Sequence, residues 1–254
     1  MSLGPALITI IEYFLDGYLH FCYTKGMKNL KDTSNQTETN TELKTEPPTH
    51  IPKLTKKGQA TRARIVAAAA KLMFERGVAG TSVEDVQQEA GVSSSQLYHY
   101  FKEKRELVLA VILFQNEQVL SSQEPLLSHL DSMEALQSWR DALVQYQTKQ
   151  GFQGGCPIGS LGSELADLEP AARKELADGF MQWELAIRQG LQAMRDRGQM
   201  RSDAQPERLA LALLGALQGG LLLAKVRKEA GPLEASLDVM LEYIGSFLIE
   251  TSPQ

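Results

Sequence analysis

Apolar residues recur at helical spacing along most of the chain and nowhere alternate with period two, so the pattern predicts an all-α protein. The first clear helix covers Gln59 to Gly77, with Ile65, Ala68, Ala69 and Leu72 on one face. A short helix capped by Ser82 follows, turns Val83 and Val86 inward and ends at Ala90, where Gly91 supplies the permissive backbone of a sharp stop. Ser93 restarts the chain, and with Gln96 three residues on it has the spacing of a capping box. Two helices of about two turns each do not persist alone. They are predicted to fold against the helix before them.

From Glu103 to about Ser122 a longer helix presents Leu107, Ala110, Val111 and Phe114 on one face. Further helices are predicted near Ser132 to Thr148, Pro157 to Leu168, Pro170 to Arg197, Pro206 to Glu229 and Pro232 to Glu250, four of the five opening on proline at a first helical position. Leu209 to Ala224 has no charged residue, is too short for a membrane span and reads as a helix buried on several sides. Its Gly215, Gly219 and Gly220 would let another helix approach closely. The last helix places Leu233, Leu237, Met240, Ile244 and Phe247 at spacings of four and three, a seam for another helix.

The N-terminal stretch follows none of these patterns. Residues 1–26 are partly apolar but interrupted by Glu12 and Asp16, with Lys25 the only cation. They satisfy neither a signal peptide nor a spanning helix. An interfacial helix, a floppy extension, and upstream sequence ahead of a true start at Met27 all remain open. Lys28 to Pro52 is rich in Thr, Asn, Glu, Lys and Pro, has no aromatic residue, and is predicted to be a disordered arm.

Charge changes the picture once it is divided along the chain. The whole carries −5. Residues 53–105 have 10 Lys/Arg against 5 Asp/Glu, or +5; residues 1–52 give 4 − 6 = −2, and residues 106–254 give 12 − 20 = −8. The positive charge sits with the two short helices, as a nucleic-acid-binding unit on a body that must not stick to DNA would require. Two cysteines, Cys22 and Cys156, make no disulfide framework, and no metal-ligand spacing is present, so a reducing cytoplasm and no metal or cofactor are expected. The histidines are scattered at 20, 50, 99 and 129, and no phosphate loop, dinucleotide fingerprint or nucleophile elbow occurs. An enzyme is not expected.

The residues Arg64-Ile65, Ala69, Gly77, Thr81-Ser82-Val83, Val86, Ala90-Gly91-Val92-Ser93, Leu97-Tyr98-His99-Tyr100-Phe101, Lys104 and Leu107 carry a specific likeness. In them, the run Thr61 to Leu109 resembles the N-terminal domain of the tetracycline-repressor (TetR) family of bacterial transcriptional regulators. Leu72-Met73 departs from the family's usual Leu-Phe, a volume-conserving change expected to be tolerated. The resemblance implies an N-terminal three-helix helix-turn-helix domain (53–105) and a C-terminal helical ligand-binding and dimerisation domain (106–254), after an extension over 1–52. It further implies a homodimer through the last two helices, a double-stranded DNA operator, a small-molecule effector and no membrane partner.

Candidate site residues follow. In a recognition helix Ser94 to Tyr100, residues Ser94, Ser95, Gln96 and His99 would meet base edges, while Tyr98, Lys102, Lys104 and Thr81 would hold phosphates. His99 reads equally as a solvated helix residue. Lys53, Lys56 and Lys57 would lie along phosphates or form a solvated basic linker. Trp139, Leu143 and Tyr146 share a helical face, as do Phe180, Trp183 and Ile187. Such stripes are usually plain core, but in a ligand-gated repressor Trp139, Leu143, Tyr146, Phe180 and Trp183 are candidate walls of an effector cavity. Cys156 lies in Gly154-Gly155-Cys156-Pro157-Ile158-Gly159-Ser160-Leu161, similar to a Gly-Cys-x-x-Gly-Ser/Asn-Leu motif of one branch of the family. At a helix N-cap its thiolate would be favoured by the dipole, whereas burial would act the other way. Cys156 is therefore an inert small residue, a ligand contact or a thiol sensor.

Overall fold

The computed structural model describes residues 54–249, and within them the chain is helical nearly throughout. The expectations for residues 1–52, for Lys53 and for Cys22 lie outside the described residues. The order is α1 (Lys56–Arg76), α2 (Val83–Ala90), α3 (Ser94–Tyr100), α4 (Lys104–Ser121), a 3-10 turn (Leu127–His129), α5 (Met133–Lys149), α6 (Pro157–Leu165), α7 (Pro170–Asp196), α8 (Pro206–Arg227) and α9 (Gly231–Gly245).

Local chemistry places the ends of the first three helices. Thr55 caps α1 through Gly58 N–H. Ser82 and Asp85 form a reciprocal capping box on α2, and Ser93 and Gln96 form another on α3. Between them Gly91 takes the left-handed conformation, φ 60°, that only glycine enters without strain. α3 is anchored by Leu97, 1% exposed, and its end by Phe101, 2% exposed; both belong to the same buried core as Ile65, Ala69, Leu72 and Val86. Burial of such a side chain contributes about 1.5–3 kcal/mol, more than so short a helix could supply from its own hydrogen bonds. Arg64 Nε donates to the Ala90 carbonyl at 2.9 Å and ties α1 to the end of α2. These three helices are the head.

α4 leads from the head into a body of α5 to α9. It packs on α1 at one end and on α6 and α7 along its length. α8 packs most extensively on α9 and then on α7. Gly220 makes the first contact close: a Cβ there would stand 3.0 Å from Leu233 Cα. Arg140 of α5 grips Asp238 of α9 with two hydrogen bonds, 2.7 and 2.8 Å.

Three sequence expectations are modified. α8 is 22 residues long, and by length and composition alone it could cross a membrane, with mean hydropathy 1.8 over its most apolar window. It is also not buried on several sides: Leu209, Leu213, Leu217 and Leu221 face inward, while Leu211, Leu222, Leu223 and Val226 stay exposed. The last helix stops at Gly245, so Phe247 is not part of a helical seam. There Arg201 N–H donates to the Phe247 carbonyl at 2.8 Å and Ile249 N–H to the Gln199 carbonyl at 3.0 Å, turning the chain extended against the loop before α8. Finally, α6 ends at Leu165, short of Leu168.

Candidate nucleic-acid interface and effector cavity

With Leu97 turned inward, α3 presents Ser94, Ser95, Gln96, Tyr98 and His99 outward, all exposed. Lys102 is exposed beside them. Gln96 also serves the fold, since its Oε1 accepts from the Ser93 N–H at 3.0 Å to close the capping box. A glutamine that meets adenine bidentately uses Oε1 and Nε2 together, so with the cap closed Gln96 offers a base its whole Nε2 donor but an Oε1 already engaged by the Ser93 N–H. Ser95 Oγ lies 3.0 Å from Ser93 Oγ. Lys56 and Lys57 are exposed on the first turn of α1.

Two expected phosphate contacts sit differently. Thr81 is 1% exposed and its hydroxyl donates to the Gly77 carbonyl at 2.8 Å, so its geometry is that of a turn brace and not of a phosphate ligand. The position before a helix N-cap looks open in sequence, but the tight 77–82 connection folds Thr81 under itself. Lys104 is half-buried, and its Nζ donates to the Val78 carbonyl at 2.6 Å.

A cavity of about 580 Å³ lies where α1 of the head meets α4, α6 and α8 of the body. Met73 and Phe74 of α1 form its head-side wall, and Gln115, Cys156, Glu164 and Gln218 supply polar groups. The space exists because the turn into α6 is built of small residues. Gly154 and Gly155 have φ of 76° and 71°, and a Cβ on Gly154 would come within 1.8 Å of the Phe74 ring. A Cβ on Gly159 would come within 2.9 Å of Gln218 Oε1. Gln115 is 5% exposed, and its carboxamide makes no hydrogen bond among the described residues. It therefore offers a free carboxamide to whatever occupies the space.

Of the residues expected to touch ligand, Cys156 alone lines this cavity. Trp139 is 1% exposed, with Nε1 donating to Gln123 Oε1 at 2.9 Å, and Leu143 is buried with it. Trp183 is buried, and Tyr146 and Phe180 are half-buried. The aromatic stripes are therefore walls of the interior between helices of the body. The usable signals are instead the glycine run before α6 and the polar pair Gln115 and Asn116 on the otherwise apolar buried side of α4.

Cys156 does occupy the N-cap of α6, and its Sγ accepts from Gly159 N–H at 3.4 Å. Burial pushes the thiol pKa up and outweighs the downward pull of the Gly159 N–H and the Gln218 amide. Gln218 Nε2 itself meets no acceptor at hydrogen-bonding distance and angle. Of the two opposed effects on Cys156, burial wins, and the thiol is held neutral near pH 7.

Residues 65–111 match the bacterial regulatory proteins of the tetR family, and residues 132–240 match the tetracyclin repressor-like C-terminal domain. A transcriptional regulator of Lactococcus lactis, from the lacX 3′ region, is 30% identical over 188 residues, 71% of this chain and 91% of its own. The repressor DhaR of Mycobacterium sp. is 28% identical, over 71% and 90%. A TetR regulator of Chloroflexus aurantiacus, solved as a crystal structure, superposes with TM-score 0.67 at 30% identity over 76% of this chain and 98% of that one. An N-terminal helix-turn-helix, a helical C-terminal body and relatives matched over nine-tenths of their length converge on one assignment: the chain belongs to the TetR family of transcriptional regulators.

Proposed function

We propose that the protein is a homodimeric, effector-responsive repressor, with residues 53–105 binding DNA and residues 106–254 binding effector and partner. The observation that carries this reading is the cavity's position: α1, which supports the recognition helix, forms one wall of the space an effector would fill. α3 enters the major groove of a near-palindromic operator, with Ser94, Ser95, Gln96 and His99 at base edges and Tyr98 and Lys102 near phosphates. The dimer forms through α8 and α9. Their exposed Leu211, Leu222, Leu223, Val226, Val239 and Tyr243 are an apolar surface, and Gly215 and Gly219 have no atom near the position of a Cβ. The effector has an apolar body to lie on Met73 and Phe74 and an oxygen or nitrogen group to pair with Gln115. It acts by preferring the state with lower operator affinity, and lowers affinity by that preference and no more.

The test is a duplex selected from random sequence with the purified protein, followed by a salt series. Affinity should fall with a log–log slope of about −0.9 per contacted phosphate, and the selected site should show twofold symmetry. Binding indifferent to salt, or by a monomer alone, would sink the reading. The rival, a thiol sensor acting through Cys156, has the N-cap in its favour and the raised pKa against it. It requires DNA release by a thiol reagent that reductant reverses and Cys156→Ser abolishes.

A further inference from the structure

Glu164 stands on α6, which begins at Cys156 as cap and runs as one nine-residue rod to Leu165. Its side chain reaches across to the head. Oε2 accepts from the Val78 N–H at 2.8 Å and Oε1 from the Ala79 N–H at 2.7 Å, in the connection between α1 and the helix-turn-helix. The same connection is held inside the head by Lys104 Nζ on the Val78 carbonyl and by Thr81 on the Gly77 carbonyl. Glu164 is the body's share of that arrangement, and it also lines the cavity. Among the described residues a further tie from head to body is Arg105 to Glu169, 2.7 Å, with the arginine 57% exposed; a pair so open to water contributes little.

Charge-assisted bonds from two adjacent backbone amides to one carboxylate are short and directional. A shift of α6 away from α1 by about 1 Å takes both beyond hydrogen-bonding distance. α6 borders the cavity along its first turns and ends at the latch, so whatever wedges it from α1 acts on the connection that leads into α2. We infer that Glu164 is the positioning residue that sets the DNA-reading helices against the body, and that effector binding works by withdrawing it. The latch stands on its own geometry, while its control by an effector rests on the repressor reading.

The full chain is compared with Glu164→Gln by amide hydrogen exchange at Val78 and Ala79 and by affinity for the selected duplex. Exchange at both amides should quicken by at least about tenfold, and affinity should fall, while the thermal midpoint of the body changes by only a few degrees. Gln115→Phe serves as a fixed occupant of the cavity. Alone it should quicken the same two amides and weaken DNA binding; combined with Glu164→Gln it should add nothing. Unchanged exchange in Glu164→Gln, or losses of affinity that multiply in the double variant, would overturn the inference. Should Glu164→Gln unfold, Glu164→Asp keeps the charge, shortens the reach by one methylene and is held to the same outcomes. If the wild type selects no duplex at all, the repressor reading fails, and the exchange measurement still decides whether the latch exists.

Discussion

Replacing Gly154 by alanine should loosen the junction of head and body in two separable ways. The residue sits at φ 76°, where a Cβ costs about 1 kcal/mol of backbone strain. The same Cβ would stand 1.8 Å from Phe74 Cζ and 2.3 Å from its Cε1, so the ring or the turn must move, an overpacking cost of about 1–3 kcal/mol. Together these give about 2–4 kcal/mol, or about 4–16 °C in thermal midpoint for a chain of this size. Gly91 is the control, since it has φ 60° but no atom within 4 Å of a Cβ, and Gly91→Ala should cost about 1 kcal/mol through the backbone alone. A double-mutant cycle of Gly154→Ala with Phe74→Ala, read by thermal melts of the four proteins, isolates the steric part as a coupling of about 1–3 kcal/mol. If the two substitutions simply add, or if Gly154→Ala melts no lower than Gly91→Ala, the Phe74 contact does not fix that turn.

Gln96→Glu should keep the α3 cap, because a carboxylate still accepts from Ser93 N–H, while reversing the base preference at one position of the selected site; Gln96→Ala should lose both, with about 1 kcal/mol of stability. Equal site preferences for the two variants in a repeated selection would remove Gln96 from base reading. The Asp85 carboxyl is held below its usual range by hydrogen bonds from the Ser82 hydroxyl and the Ser82 N–H. A depressed folded pKa contributes stability that is complete above the unfolded value of about 3.9 and is lost as pH falls through the folded one. The midpoint gap between wild type and Asp85→Ala should therefore be open at about pH 7 and narrow by about pH 3; a gap constant with pH would assign the loss to packing. Cys156 should alkylate with iodoacetamide at neutral pH at least about tenfold more slowly than in the unfolded chain, as a buried neutral thiol does. Fast labelling of the native protein would revive the sensor reading. Arg140→Ala should cost about 1–3 kcal/mol by leaving the α5 to α9 grip unmade, and a chemical denaturation series that shows no loss would relegate the pair to the surface.

The helix-turn-helix is legible in sequence because its geometry is written in residues that act locally. Ser82, Gly91, Ser93 and Gln96 satisfy or bend the backbone within four residues of themselves, and each stands where its spacing places it. Prolines 157, 170 and 206 mark helix starts for the same reason. What sequence does not weigh is the competition between distant elements. Trp139 and Trp183 are equally good as core or as cavity wall until the partners of their faces are known. Thr81 looks available until the connection after Gly77 folds back over it, and Phe247 fits a helical period until the strand-like pairing with residues 199–201 ends the helix first. The latch at Glu164 is invisible for the same cause: its amides lie more than eighty positions away.

The closed cap on α3 also bears on how such a regulator changes its target. If Gln96 meets the groove as proposed, it both folds α3 and reads DNA and is not free to drift, because most replacements at position 96 would weaken the helix before they offered a new preference. Ser94 and His99 make no side-chain hydrogen bond that the helix depends on, so substitutions there leave its scaffold standing. New operator specificities should be accessible through Ser94 and His99 in single steps. A change at Gln96 to a residue that cannot accept from the Ser93 N–H would require that stability first be gained elsewhere, and this makes the order of mutations, as much as their identity, the determinant of which sites the protein can come to read.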